Sequence, residues 1–206
     1  MKVVPKSYET FLAEIDGKKK ARYVSIYHAV RNIPYGATGE RDPIAVLENY
    51  RGSCSGKHVL LRDLLRVAGY EAEAITILTH FNKAIPLRPS FSDELSSMVR
   101  DGDIQDYHHF VRTRLDGQWL NLDATWHDAL RAHGFPVNAD WDGRGHTTLA
   151  AAAIEEYPAV EDLAAFKQEL IAALPPDARE RRQSFFDHLT RWIEAETPTF
   201  KMRTME

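Results

Sequence analysis

Cys54 is the only cysteine in a chain of 206 residues, and it stands in Gly52-Ser53-Cys54-Ser55-Gly56, where a loop turns into a helix. Tyr107-His108-His109-Phe110-Val111 follows downstream, and then Leu122-Asp123-Ala124-Thr125-Trp126. A thiol attacks a carbonyl only as the thiolate, and a helix N-terminus and a neighbouring imidazolium both lower its pKa. A carboxylate can in turn hold the imidazole in place. A cysteine, a histidine and an aspartate in this order therefore have the composition of a thiol triad. The small neighbours Ser53, Ser55 and Gly56 leave room for a substrate carbonyl, so the Cys54 N–H could serve as an oxyanion donor. Two blander readings stand beside this one. A lone cysteine is often a small buried hydrophobe. A metal site could draw on Cys54, His108, His109, His127, His133 and His146, but the chain has no His-x-x-x-His or Cys-x-x-Cys pair, so neither a metal nor another cofactor is expected.

The elements that must position these groups can be read from periodicity. Tyr8, Phe11, Leu12 and Ile15 keep helical spacing, ended by Gly17. A second helix over 18–33 carries Tyr23, Ile26, Tyr27 and Val30, with Lys18-Lys19-Lys20 as its solvated start. Asp42-Pro43 opens a short helix to Tyr50, with Asp at the N-cap and Pro at N1. Ser53 caps the helix of Cys54, whose broad face of Leu60, Leu61, Leu64, Leu65 and Ala68 marks it as central and buried, with Gly69 as terminator. A helix buried along its sides has its chemistry at its ends, and Cys54 lies at one.

Residues 70–78 read as a strand, and 84–102 as an irregular stretch near the site with a short helix over 93–99. The strands 107–115 and 118–125 are joined by Asp116-Gly117, a strong hairpin signal. That two-residue turn pairs Leu115 with Gln118, which sets Phe110 opposite Asp123 and brings His108 diagonally within reach of it, with His109 on the other face. A one-residue bulge would exchange the two histidines. A short helix over 128–133, a loop over 138–143, a strand over 149–154 and amphipathic helices over 162–174 and 177–196 complete the chain, with 197–206 as a tail. The basic run Arg179–Arg182 reads as a solvated helix face. The whole reads as a single domain over 1–196.

Composition limits the function. With 44% hydrophobic and 27% charged residues the chain is an ordinary globular protein. A net charge of −4 gives no electrostatic case for nucleic acid or an anionic membrane. No apolar run approaches the roughly 20 residues of a membrane span. Without an apolar leader, and with one thiol, the expectation is a cytoplasmic protein. Nothing in the sequence sets an oligomeric state.

Gly-x-Cys at the start of an apolar helix, His108-His109-Phe110-Val111, and Trp119-x-x-x-Asp123-x-Thr125 together resemble the transglutaminase-like superfamily of papain-fold thiol enzymes. The fifteen-residue step from His108 to Asp123 matches its usual spacing, and the likeness covers about residues 33–126. It implies an α+β fold in which a central Cys-bearing helix packs on an antiparallel sheet, with helices before 33 and after 161 wrapped around it. It also implies Cys54 as nucleophile, His108 as base and Asp123 as orienting acid. A second oxyanion donor in this fold would come from upstream of the cysteine, where Tyr35 and Asn49 are candidates, although core packing and a helix C-terminus account for them equally. Trp126 and Trp141 could line an acyl cleft or simply fill the core. Phe110 and Ala124 depart from the family's usual Trp and Pro, and no acidic cluster suggests calcium. The implied reaction is acyl transfer from a peptide, protein or small amide. Hydrolysis is favoured over amine crosslinking, because no residue specifies an amine site. The alternative is a catalytically silent domain of the same fold that binds a peptide or protein partner.

Overall fold

Caps fix where the helices of this chain begin. In the computed structural model, which describes residues 5–15, 22–37, 39 and 41–197, Asp42 accepts from the Ile44 N–H and starts α3 (Pro43–Asn49). Ser53 accepts from the Gly56 N–H at 3.4 Å and starts α4 (Cys54–Val67). Gly69, at φ +91°, supplies the left-handed residue that stops α4. The helices α1 (Lys6–Ile15) and α2 (Arg22–Arg31) precede them. The expected Gly17 stop, the lysine triplet and the tail after Thr197 lie outside the described residues.

The strands β1 (Ala72–His80), β2 (Gln105–Leu115), β3 (Gln118–Leu122) and β4 (Glu155–Tyr157) form one antiparallel sheet in the order β3-β2-β1-β4. Between β2 and β3, Asp116 and Gly117 take φ of +48° and +82°, so the turn is the twisted kind that adds no residue. Leu115 accordingly pairs with Gln118 and Val111 with Leu122, which leaves Asp123 one step beyond the ladder. The strand expected over 149–154 forms later, at β4. The Ala150 N–H is spent on the Asp123 carboxylate at 2.7 Å, and the alanine run stays irregular.

The helix α4 separates two apolar clusters. On one side Leu60, Leu61, Leu64 and Leu65 pack with α1, α2 and the β2–β3 hairpin. On the other, Cys54 and Tyr35 join Phe81, Trp126 and residues of α5 (Asp93–Asp101) and α7 (Pro176–Glu196). The helix α6 (Leu163–Ala173), capped by Asp162, lies against α4 and β2. Lys57 ties the two sides together. It is fully buried, and its ammonium donates to the carbonyls of Arg31, Ile33 and Thr125 at 2.7–2.9 Å. Burial pushes its pKa well below the ordinary lysine value, yet three carbonyl acceptors are satisfied together only by the ammonium form. The clamp fixes the loop leading to Cys54 relative to the segment that follows Asp123.

Candidate active site

Cys54 is the first residue of α4 and is 3% exposed, so its sulfur meets few groups, each of which matters. As the first turn of a helix it sits where backbone N–H groups have no intrahelical acceptor. His108 comes from the middle of β2, and its Nε2 bonds Asp123 Oδ2 at 2.7 Å with both residues buried. The opposite nitrogen, Nδ1, is buried with no hydrogen bond of its own and lies within electrostatic reach of the thiol. The residues expected as nucleophile, base and orienting acid are thus brought together. The unbulged turn gives the Asp123 contact to His108 rather than His109. His109 instead meets the Ser55 hydroxyl through Nδ1 at 3.2 Å.

Asp123 is held by more than His108. Its Oδ2 also accepts from the Ala150 N–H at 2.7 Å and its Oδ1 from the Thr125 N–H at 2.9 Å, while its own N–H donates to Thr147 Oγ1. Burial opposes its charge, but the His108 ring holds the carboxyl well below the usual range. His58, one turn beyond Cys54, fits beneath it. Its Nε2 accepts from the Ala124 N–H at 2.8 Å, so Nδ1 carries the proton and donates to the Cys54 carbonyl at 2.7 Å. Burial keeps this ring neutral, with its pKa lowered, so the 3.6 Å approach to Asp123 is a contact and not an ion pair.

A second set of charges reaches the sulfur from the C-terminal helices. Lys167 Nζ on α6 lies 3.9 Å from Cys54 Sγ and 3.5 Å from Asp106, which stands two residues before His108 on β2. Arg182 on α7 bonds Asp106 Oδ1 through Nε at 2.7 Å and Nη2 at 2.6 Å. Burial opposes the Asp106 charge, but Arg182 and then Lys167 hold its carboxyl far below the normal range. Arg182 corrects the expectation of a solvated basic face. It precedes the buried Phe185, Phe186 and Leu189 by three, four and seven residues and shares their stripe, leaving Arg181 to pair with Asp177 at the surface.

These groups set the ionisation of the pair. Burial would raise the Cys54 thiol, but Lys167 first and His108 next bring it down to about 7. Burial would lower His108, but Asp123 and the thiol raise it to about 10. Both directions favour the thiolate–imidazolium form of the pair over the neutral one.

The remaining expected residues divide. Tyr35, Ser53 and Ser55 line a cleft of about 60 Å³ at Cys54, together with Arg41, Asp106, Lys167, Arg182 and Phe186. Burial raises the Tyr35 hydroxyl well above its ordinary value, with Cys54 and Asp106 adding to the shift. Asn49 is exposed at the end of α3 and does not line that cleft. Trp126 is core, with its ring 4.8 Å from those of Tyr35 and Phe135, and Trp141 packs on Tyr27 in the other cluster. The 84–102 stretch holds α5, which packs on α7 and lends no residue to the cleft. Among the described residues no group of three or more His, Cys, Asp or Glu side chains is placed to hold a metal ion, and no helix is long and apolar enough to cross a membrane.

A Cys-bearing helix capped by Ser53, packed on an antiparallel sheet that offers a paired His and Asp, defines a papain-like, transglutaminase-like fold. The family model described as the transglutaminase-like superfamily matches residues 9–124, more than half of the chain, and the chain belongs to that superfamily. The matched stretch contains Cys54, His108 and Asp123 and stops short of Lys167 and Arg182. A solved structure from Cytophaga hutchinsonii, proposed to be a cysteine protease, is similar at 17% identity and a TM-score of 0.41, over 61% of this chain and 39% of that one. The chain thus spans well under half the length of that relative. No curated protein matches the chain.

Proposed function

We propose that this chain is a thiol-dependent amide hydrolase. The observation that carries the reading is the His108 ring, whose Nε2 is committed to Asp123 at 2.7 Å while its buried Nδ1 is left for the thiol at the tip of α4. Cys54 thiolate attacks the amide carbonyl, and the C–S bond forms as the carbonyl π electrons move to oxygen. The Cys54 N–H at the helix start bonds that oxyanion. Collapse breaks the C–N bond, and the His108 imidazolium gives its proton to the leaving amine. The neutral ring then takes a proton from water, the hydroxide attacks the thioester, and the C–S bond breaks to restore the thiolate and free the carboxylic acid, whose proton passes to solvent or to the departed amine. Asp123 keeps the ring oriented throughout. Water is the favoured acceptor because a cleft of about 60 Å³ has room for it beside the sulfur and no side chain there selects an amine.

Burial favours a second reading. A thiol only 3% exposed beneath α6 and α7 also suits a silent domain that binds a peptide or protein partner. Turnover of a fluorogenic peptide-amide library by the wild type, lost in Cys54→Ala with an unchanged melting temperature, is the result the hydrolase reading expects. Equal signals from the two proteins favour the binding domain.

A further inference from the structure

We propose that Lys167 is a further catalytic residue, a buried cation delivered by α6 that faces the reacting sulfur, and that Asp106 and Arg182 are the positioning residues that hold it there. The inference rests on Cys54 being the nucleophile. It goes beyond the triad, because Lys167 and Arg182 lie on helices after the stretch that the superfamily shares with this chain.

Counting charges on the two sides of the sulfur carries the argument. On the His108 side, imidazolium and Asp123 form a pair that is complete in itself at 2.7 Å. On the other side, the two cations Lys167 and Arg182 face the single carboxylate of Asp106, and side-chain exposures of 3%, 13% and 0% leave little water to share the load. Arg182 approaches Asp106 at 2.6–2.7 Å, whereas Lys167 stays at 3.5 Å and turns its third contact to Cys54 Sγ at 3.9 Å. The excess positive charge therefore belongs to Lys167, and the group placed to answer it is the sulfur as thiolate. The other titratable groups facing Cys54 do not provide that answer. The Lys57 ammonium is spent on three carbonyls, Arg41 in the cleft wall adds a further guanidinium and no counter-charge, the Tyr35 hydroxyl stays protonated, and His109 is pushed toward its neutral form by burial and then by Lys167 itself.

The arrangement has a consequence during turnover. When the sulfur is acylated it loses its charge, and Lys167 then faces a neutral thioester while Arg182 keeps the closer hold on Asp106. An anionic group arriving beside the sulfur restores the balance. The substrate class this selects is an amide carrying a carboxylate close to the scissile bond.

Alkylation tests this without any turnover. Rates of alkylation of Cys54 by neutral iodoacetamide and anionic iodoacetate are measured from pH 5 to 10 for the wild type, Lys167→Met, Lys167→Gln and Lys167→Arg, each checked for folding by its thermal transition. In Lys167→Met the thiolate midpoint is expected to rise by about one pH unit, and the iodoacetate-to-iodoacetamide rate ratio to fall by about fivefold or more. Lys167→Gln keeps a donor to Asp106 without the charge and should behave like Lys167→Met, and Lys167→Arg should restore both readouts. Variant profiles that superimpose on the wild type in both readouts overturn the assignment. The same assay on His108→Ala reports on the triad separately. A midpoint that ignores His108 but follows Lys167 would count against the preceding reaction scheme and leave the Lys167–sulfur pairing in place.

Discussion

Asp106 and Asp123 are both buried carboxylates beside one sulfur, and they are satisfied in opposite ways. Asp123 is fed by the His108 ring and by the Thr125 and Ala150 N–H groups, so most of its support is backbone that no substitution removes. Among the described residues, Asp106 is held by the long side chains of Lys167 and Arg182, from helices 61 and 76 residues away. The first arrangement is rigid and, on the proposed mechanism, suits a group that orients an imidazole through a whole reaction cycle. The second depends on the docking of α6 and α7 onto the sheet, and it ties the charge beside Cys54 to whether those helices are seated. One half of the site is built into the sheet, and the other is closed over it.

The largest effect that would break this contrast is expected in catalysis. On the proposed mechanism, Asp123→Ala or His108→Ala should lower kcat/KM on an amide substrate by about a thousandfold or more. Asp106→Asn should cost far less in kcat, and an equal loss would erase the distinction between the two aspartates. Stability should order them the other way. Asp106→Ala strands two buried cations and is expected to cost about 3–5 kcal/mol in a urea titration. Asp123→Asn keeps an acceptor for one of the two backbone donors and turns its NH2 to the other, so it should cost less, about 1–3 kcal/mol. Arg182→Met removes one of the two cations, so the Asp106 charge remains compensated by Lys167. With no excess positive charge then left to answer the sulfur, its expected mark is a modest fall in melting temperature together with a raised Cys54 thiolate midpoint in the alkylation assay. The smallest effect is expected at His109, where His109→Gln preserves a partner for Ser55 and should shift the alkylation rate by about twofold or less.

The same contrast separates what could be read in the sequence from what could not. Ser53 as cap, Gly69 as stop and the Leu60–Leu65 face make α4 legible because helix ends and apolar stripes are local signals. The Asp116-Gly117 turn fixes the register of β2 against β3, and with it the choice of His108 over His109. Two further groups carry local signals in the sequence. His58 lies one turn from Cys54 on the same helical face, and Asp106 lies two residues before His108 on an unbulged strand. Lys167 shares its face with the buried Leu163 four residues earlier, and Arg182 shares one with Phe185 and Phe186, but an amphipathic pattern cannot say which charge is drawn inward. That depends on Asp106 being buried where the two helices cross β2, a tertiary fact with no local spacing. The alanine run at 150–153 misleads for a related reason. Its backbone is recruited by Asp123, so it cannot complete the ladder until Glu155. Asn49 faces solvent because α3 ends at it with Tyr50 in a left-handed cap, turning the chain away before Gly52 returns to bridge Tyr35.

The most direct test of the central claim is a pH titration of the thiolate ultraviolet absorbance in the wild type and in His108→Gln, each read against Cys54→Ser. The chain has one cysteine, so the difference signal belongs to Cys54 alone. The account predicts a wild-type midpoint near the value of about 7 that Lys167 and His108 together impose against burial, moving upward in His108→Gln. A wild-type midpoint at or above the free thiol value of about 8.5, unmoved by the substitution, would contradict it.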